Sequence, residues 1–212
     1  MKLYLSSYKL GNNVDELKKW IEEKGNKIIL IPNSRDIYED GERLRNGIKS
    51  DAEMLQELGF DVEVISLKQY FGNPEQLEKD FSKYNAFFAI GGNSFALRKA
   101  MQLSGFDEFL KKQIDNPNFL YSGYSAGICV LCPNMMGLNL VDEPLNPYND
   151  EGVIYEGIGL LDYVPVPHYK SDHPESHLID EVIKYMLENN IKHQPLRDGE
   201  VIIEDYSKNK IK

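Results

Sequence analysis

A serine flanked by glycines follows an apolar run in the stretch FLYSGYSAGICVL. The order Gly123-Tyr124-Ser125-Ala126-Gly127 matches G-x-S-x-G, the pattern of a sharp strand-to-helix turn that projects a serine hydroxyl. A hydroxyl held in this way suits nucleophilic attack on a carbonyl carbon. The same glycines also serve a turn with no chemical role, so the pattern alone leaves both interpretations open.

A serine nucleophile needs a base, and the chain contains four histidines: His168, His173, His177 and His193. His168 ends the apolar segment YVPVP. If that segment is a parallel strand, its carboxyl end lies at the same sheet edge as Ser125. On that condition His168 is well placed to reach Ser125, whereas His173 and His177 flank Pro174 at the start of a predicted helix.

A second loop of the same kind, Gly91-Gly92-Asn93, joins the apolar run AFFAI to the helical pattern SFALRKAM. Two glycines at a strand end expose backbone N–H groups that no side chain covers. Together with the Ala126 amide, such a group would form an oxyanion hole. A tight turn that needs glycine conformations is the alternative interpretation.

Metal binding is the competing use of the histidines. The segment around them contains imidazole and carboxylate groups, which are normal zinc ligands: His168, Asp172, His173, Glu175 and His177. No H-E-x-x-H spacing is present, and Pro174 prevents a regular helical face across this segment. We expect no metal and no cofactor.

The elements that must position these residues alternate along the chain. Strands are predicted in KLYLSSY, KIILIPNS, DVEVISL, AFFAI and FLYSG, with helices in VDELKKWIEEKG, ERLRNGIKSDAEMLQELG, NPEQLEKDFSKY and PESHLIDEVIKYMLENN. The pattern predicts an α/β fold, a mostly parallel sheet with helices on both faces. Residues 133–159 read as an irregular excursion, and HQPLRDGEVIIED predicts a hairpin that turns at Asp198-Gly199.

Composition limits the class of protein. The 212 residues are expected to form a single domain, 1–212, and their formal net charge of −10 argues against nucleic acid as a partner. No apolar run suits a membrane span or a signal peptide, so we expect a cytoplasmic protein.

Cys129 and Cys132 lie in the apolar stretch after Ser125 and are predicted to be packed thiols. Nothing marks an interface, and both a monomer and a homo-oligomer stay open.

Several motifs in order resemble the dipeptidase E (aspartyl dipeptidase) family of serine peptidases, which is related to cyanophycinase. They are AIGGNSFALRKAM, YSGYSAG, LVDEP, EGIGLLDYVPVPHY and LRDGE, and they cover nearly the whole chain. The resemblance implies a flavodoxin-like fold similar to class I glutamine amidotransferase domains. It also implies a peptidase acting on small peptides, with Ser125 as nucleophile, His168 as base, and Gly92 and Ala126 lining the oxyanion hole.

The third member of the triad is less directly indicated. In the family, an acidic residue in a leucine-proline-glutamate-glycine turn orients the histidine, and the matching stretch here is PLRDGE. This match favours Asp198 as the acidic member of the triad. Glu200 is the second candidate and Asp162 a weaker third. Asp-Gly also suits a hairpin turn for local reasons.

Substrate preference departs from the family pattern. Aspartyl dipeptidases carry arginines after the histidine, whereas the segment KSDHPESHLI has Lys170 as its only formal cation. A preference for an N-terminal aspartate is therefore not expected, and an acidic substrate would also meet an acidic protein. An esterase or acyl transferase that uses Ser125, and a non-catalytic binding protein of the same fold, are the alternative functions.

Overall fold

The computed structural model of the chain describes residues 1–148 and 152–206, along which strands and helices alternate. The strands are β1 (Lys2–Ser6), β2 (Lys27–Ile31), β3 (Asp61–Val64), β4 (Ala86–Ala89), β5 (Leu120–Tyr124), β6 (Val164–Val166), β7 (His193–Pro195) and β8 (Val201–Asp205). The helices are α1 (Asp15–Lys24), α2 (Glu42–Leu58), α3 (Pro74–Phe81), α4 (Ser94–Ser104), α5 (Phe106–Lys112), α6 (Ala126–Cys129) and α7 (Ser176–Glu188). Among the described residues, no helix has both the length and the apolar character that crossing a bilayer requires.

Six strands form the main sheet in the order β3-β2-β4-β5-β1-β8. The first five are parallel, and β8 runs antiparallel to β1 at one end. The carboxyl ends of β4, β5 and β1 therefore meet at one edge of the sheet, where loops of parallel α/β sheets form binding sites. The predicted α/β class and mostly parallel sheet are confirmed.

The sheet is buried on both faces because side chains alternate in direction along each strand. On β4, Phe87 packs against Phe81 and Phe106 on one face, whereas Phe88 belongs to the cluster that contains Trp20 and Leu55 on the other. This two-sided burial explains why the strands read as continuous apolar runs rather than as alternating patterns.

Helix starts follow from side-chain caps. Asn73 accepts a hydrogen bond from the Gln76 amide at 3.3 Å, and Pro74 is the first residue of α3, where its missing N–H costs nothing. Asn93 caps α4 in the same way, accepting from the Ala96 amide at 2.9 Å. The asparagine of the Gly-Gly-Asn loop therefore has a structural role of its own.

The structure corrects two topological predictions. β6 and β7 pair with each other in a separate two-stranded parallel sheet, so the YVPVP segment does not continue the main sheet beside Ser125. Pro165 cannot donate to a ladder, which suits this short two-stranded sheet better than a central position. The hairpin prediction is also wrong, because β8 pairs with β1 rather than with β7. Asp198 still lies in a turn, closed by the Glu200 amide on the Arg197 carbonyl at 2.9 Å.

The structure also contains a helix that the sequence patterns do not predict, and local structure within the irregular segment 133–159. α5 was not predicted, because a helix of this length leaves little periodic signal in the sequence. The excursion after Pro133 contains a short 3-10 helix at Leu138–Leu140 and a bridge between Asn134 and Glu156. Residues 149–151 of this segment lie outside the described residues.

The two glycines around Ser125 allow the turn after β5 to lie directly on β4. A Cβ at Gly123 would be 2.5 Å from the carbonyl oxygen of Ala89, and a Cβ at Gly127 would lie closer still to the same oxygen. Neither position has room for a side chain. The glycines of the G-x-S-x-G pattern are therefore required by close contact between two strand ends.

We expect Gly127→Ala to lower the free energy of unfolding by about 1–3 kcal/mol, because the added methyl overpacks this contact. Gly41→Ala is the control, since a Cβ there meets its nearest atom at 3.9 Å. Chemical denaturation of both variants measures the difference. Equal stability of Gly127→Ala and Gly41→Ala would show that the contact has no such cost.

Candidate active site

Ser125 lies between β5 and α6 with φ of 51° and ψ of −117°. A positive φ is unusual for a residue with a side chain and persists only where the surroundings hold it. Here the contact of the flanking glycines with Ala89 supplies that restraint. The Ser125 Oγ lies 3.1 Å from Nε2 of His168, within hydrogen-bonding distance.

His168 follows β6 and also has a positive φ, 63°. Its backbone N–H donates to the Ser7 hydroxyl at 2.9 Å, which ties it to the end of β1. Its Nδ1 lies 2.8 Å from Oδ1 of Asp198. With the proton on Nδ1, the ring donates to Asp198 and its Nε2 accepts from the Ser125 hydroxyl.

Asp198 is held from three sides. Its carboxylate accepts from the Ser7 hydroxyl at 2.8 Å as well as contacting His168, and its own amide donates to the Ser171 hydroxyl at 2.8 Å. Ser7 therefore contacts both the backbone of His168 and the side chain of Asp198. Sequence reasoning missed Ser7, although its place just after β1 at the shared strand edge was a usable signal.

The two competing acids are engaged elsewhere. Glu200 accepts from the Arg197 amide at 2.7 Å and so stabilises the turn that carries Asp198. Asp162 is exposed and pairs with Lys192 at 2.5 Å. Of the three candidate carboxylates, Asp198 is the one that the structure brings onto His168.

Gly92 lies in the loop between β4 and α4, and Ala126 directly follows Ser125. Gly92 has φ of 152°, and a Cβ there would lie 2.5 Å from the Ser34 carbonyl oxygen, so this position also requires glycine. Ala126 is the first residue of α6, where an amide has no carbonyl acceptor within its own helix. Gly91, Gly92 and Ser125 line the cavity, and Ala126 is the residue after Ser125 in the chain.

The imidazole of His173 stacks on that of His168, with ring centres 3.7 Å apart and planes within 8° of parallel. Tyr8 contacts both rings edge-on. Burial lowers the pKa of His168 below its ordinary value of 6.5, and the charge of His173 lowers it further, while Asp198 opposes both effects. The free base of His168 is therefore available below neutral pH.

A metal ion does not fit this arrangement as it stands. His168, His173 and Glu175 place possible ligand atoms within 4.8 Å of one another. However, imidazole lone pairs lie in the ring planes, so two parallel stacked rings cannot both direct them at one ion between the planes. Both nitrogens of His168 also already contact Asp198 and Ser125.

A cavity of about 320 Å³ opens over Ser125 and His168. Its lining includes a cationic side formed by Lys9 and Arg35, which sequence reasoning missed because neither residue belongs to a motif. Acidic side chains also line it, namely Asp142, Glu143 and Glu175. Burial raises the pKa of Asp142 to about 6, opposed by hydrogen bonds from Ser94.

Cys129 contacts Ser125 through its backbone, donating its N–H to the Ser125 carbonyl at 3.1 Å. Cys129 and Cys132 are both buried free thiols. Burial raises the pKa of each, so the reactive thiolate form is disfavoured, as expected of packed cysteines.

The fold and these contacts define a class of protein: a flavodoxin-like α/β fold with a serine, a histidine and an aspartate in hydrogen-bond contact at its strand ends. A sequence profile of peptidase family S51 matches residues 5–211. The chain belongs to peptidase family S51 and is a serine-type peptidase, a hydrolase. The predicted resemblance to peptidase E proteins is confirmed.

Solved structures agree on the fold. A candidate peptidase E protein from Listeria monocytogenes EGD-e superposes with a TM-score of 0.73 at 21% identity, covering 96% of this chain and 98% of that one. A peptidase from an acI-B1 Actinobacterium gives a TM-score of 0.68 at 16% identity, covering 96% of this chain and 83% of that one. Comparison with curated proteins found no match.

We expect NMR titration of the His168 ring to give a midpoint below 6.5, because burial and His173 both disfavour the imidazolium. His173→Phe keeps a stacked ring but removes the charge, so its midpoint should rise relative to wild type. Asp198→Asn should move the midpoint the opposite way, since the carboxylate favours the charged ring. A wild-type midpoint above 6.5 would contradict this electrostatic description.

Proposed function

We propose that this chain hydrolyses short peptides, in the manner of dipeptidase E, through an acyl-enzyme formed on Ser125. The observation that carries the proposal is the continuous contact from Ser125 Oγ to His168 Nε2 at 3.1 Å and from His168 Nδ1 to Asp198 at 2.8 Å. This is the geometry of nucleophile, base and orienting acid, whatever their order along the chain.

In the first half-reaction, Ser125 Oγ attacks the peptide carbonyl carbon while its proton passes to His168 Nε2. The carbonyl oxygen becomes an oxyanion, which the amides of Gly92 and Ala126 stabilise. The tetrahedral species collapses, the C–N bond breaks, and His168 returns the proton to the leaving amine. The products of this step are the acyl ester of Ser125 and the shortened amine.

In the second half-reaction, water attacks the ester carbonyl carbon and gives a proton to His168. Collapse releases the carboxylic acid, and the proton returns to Ser125 Oγ. Asp198 keeps its charge throughout, since its role is to hold the Nδ1–H tautomer and stabilise the imidazolium. The depressed pKa of His168 keeps the ring neutral and able to accept the serine proton at neutral pH.

The size of the cavity supports small substrates. A volume of about 320 Å³ lies at the lower end of the range for small-molecule sites, and a long peptide would leave most of its length outside. The Gly92 loop contacts the irregular segment 133–159 beside the cavity. The Asn93 side-chain amide donates to the Glu143 carbonyl at 2.7 Å, and the Ser94 backbone amide donates to the Asp142 carboxylate at 2.8 Å.

A dipeptide library assayed beside simple esters tests the proposed substrate class. We expect release of free amino acids from a subset of dipeptides, with slower cleavage of longer peptides. Chelators should leave this activity unchanged. Rapid ester turnover without any peptide turnover would instead identify an esterase.

The acid is tested by Asp198→Asn, which keeps the shape but loses the charge that holds the histidine tautomer. We expect kcat to fall by about 10³–10⁴-fold. Glu200→Gln is the matched control, because glutamine can still accept from the Arg197 amide, and it should change kcat by less than about threefold. Equal losses in the two variants would remove Asp198 from its proposed role.

A further inference from the structure

A cationic corner, formed by Lys9 and Arg35 around Asp51, lies at one side of the cavity. Lys9 Nζ is 2.5 Å from one carboxylate oxygen of Asp51, and Arg35 Nη2 is 2.6 Å from the other. The Asp51 side chain is fully buried. It also accepts a hydrogen bond from the Tyr124 hydroxyl at 3.0 Å.

The charges of this corner do not balance. Two cations share a single carboxylate, which leaves a net charge of +1 on the three residues. An ammonium group has three donors, and the Lys9 side chain is 32% exposed, so it can take a second anionic partner from the cavity. A surplus cation in a confined site favours an anionic ligand group.

The two cations have different roles. Arg35 donates to the Gly91 carbonyl at 3.2 Å, to Asp51 and to the Tyr124 hydroxyl at 2.9 Å, so it holds the loop and strand end next to Ser125. Lys9 is the more exposed of the two. Lys9 is therefore the group suited to meeting a ligand.

The Tyr8 ring connects the cationic corner to the base. Lys9 Nζ is 5.9 Å from the centre of the Tyr8 ring, which in turn lies 6.0 Å from the ring of His168. In the proposed mechanism His168 gives its proton to the leaving amine. The α-carboxylate of a dipeptide is two covalent bonds from that nitrogen, with its oxygens within about 4 Å of it. Each added residue would move the carboxylate about 3.5 Å further along an extended chain.

The acidic side of the cavity complements this arrangement. Asp142 and Glu143 line it beside the Asn93 loop. They suit the ammonium of a free amino terminus and disfavour an acidic side chain. A zwitterionic dipeptide carries both charges at its two ends, so it matches a cavity with one cationic and one acidic side.

We propose that Lys9, held by Asp51 and supported by Arg35, binds the C-terminal α-carboxylate of a dipeptide substrate. This assignment rests on the proposed peptidase function, because it places the leaving residue beside His168. It makes substrate length and a free carboxyl end, rather than an acidic first side chain, the features that the site selects. Lys170 cannot substitute for Lys9, since it is exposed, lies over the Tyr169 ring and does not line the cavity.

Paired substrates test the proposal: the best neutral dipeptide of the library and its C-terminal amide. Wild type should cleave the free acid with a kcat/KM about 10- to 100-fold above that of the amide, because a charge-assisted hydrogen bond is lost with the carboxylate. Lys9→Met should bring the two values together, mainly by raising KM for the free acid. Lys170→Met is the matched control and should keep the wild-type ratio.

Binding to Ser125→Ala, measured by calorimetry, separates this proposal from the proposed function. The free acid should bind about 10- to 100-fold more tightly than the amide, and Ser125→Ala/Lys9→Met should lose that difference. Equal affinities for acid and amide would overturn the carboxylate site even if wild type hydrolyses peptides. A retained acid preference after Lys9→Met, or a selective loss of cleavage of acidic first residues, would also overturn it. Absence of peptide hydrolysis alongside a Lys9-dependent difference in affinity would contradict the proposed function alone.

Discussion

The close contact between the ends of β4 and β5 is the constraint on which the rest of the site depends. Ser125 adopts a positive φ because the glycines at 123 and 127 let the turn lie against the Ala89 carbonyl. A side chain at either glycine would push the turn away from β4. The same approach brings Ser125 beside the Gly91-Gly92 loop, whose carbonyl at Gly91 is held by Ser34 and Arg35. Backbone contacts thus hold Ser125 in its unusual conformation, and its hydroxyl is directed towards Nε2 of His168.

The two residues that complete the contacts of Ser125, His168 and Asp198, belong to segments outside the main sheet. His168 follows the two-stranded β6–β7 sheet, and Asp198 lies in the turn between β7 and β8. Ser7, at the end of β1, contacts both and so joins this second unit of structure to the strand edge that carries the nucleophile. Because Ser7 bonds to both residues, a displacement of Ser7 would move the histidine and the acid together. The pairing of β1 with β5 fixes Ser7 relative to the strand that leads to Ser125.

Much of the fold followed from sequence patterns because buried parallel strands leave long apolar runs and because Asn73, Pro74 and the helix periodicities are local signals. The pairing partners of β6, β7 and β8, the last strands of the chain, did not follow from such patterns. A short strand such as β6 or β7 has no local sequence feature that determines which strand it pairs with. Asp198-Gly199 suits a turn whether or not the flanking strands pair with each other. In the site, Ser125 and His168 were predicted from motifs, as was the preference for Asp198 over Glu200 and Asp162. Lys9, Arg35 and Asp51 were not, because their association depends on three separate loops and helices that meet only in the folded chain.

The central claim is that Ser125 is a nucleophile activated by His168, and covalent labelling tests it most directly. A fluorophosphonate probe, followed by mass spectrometry of the digested protein, should place the adduct on Ser125 and on no neighbouring serine. Ser125→Ala should take no label, and His168→Ala should react far more slowly while keeping the thermal stability of a folded protein. Absence of an adduct on wild-type Ser125, or labelling of Ser125 at the same rate without His168, would contradict this account.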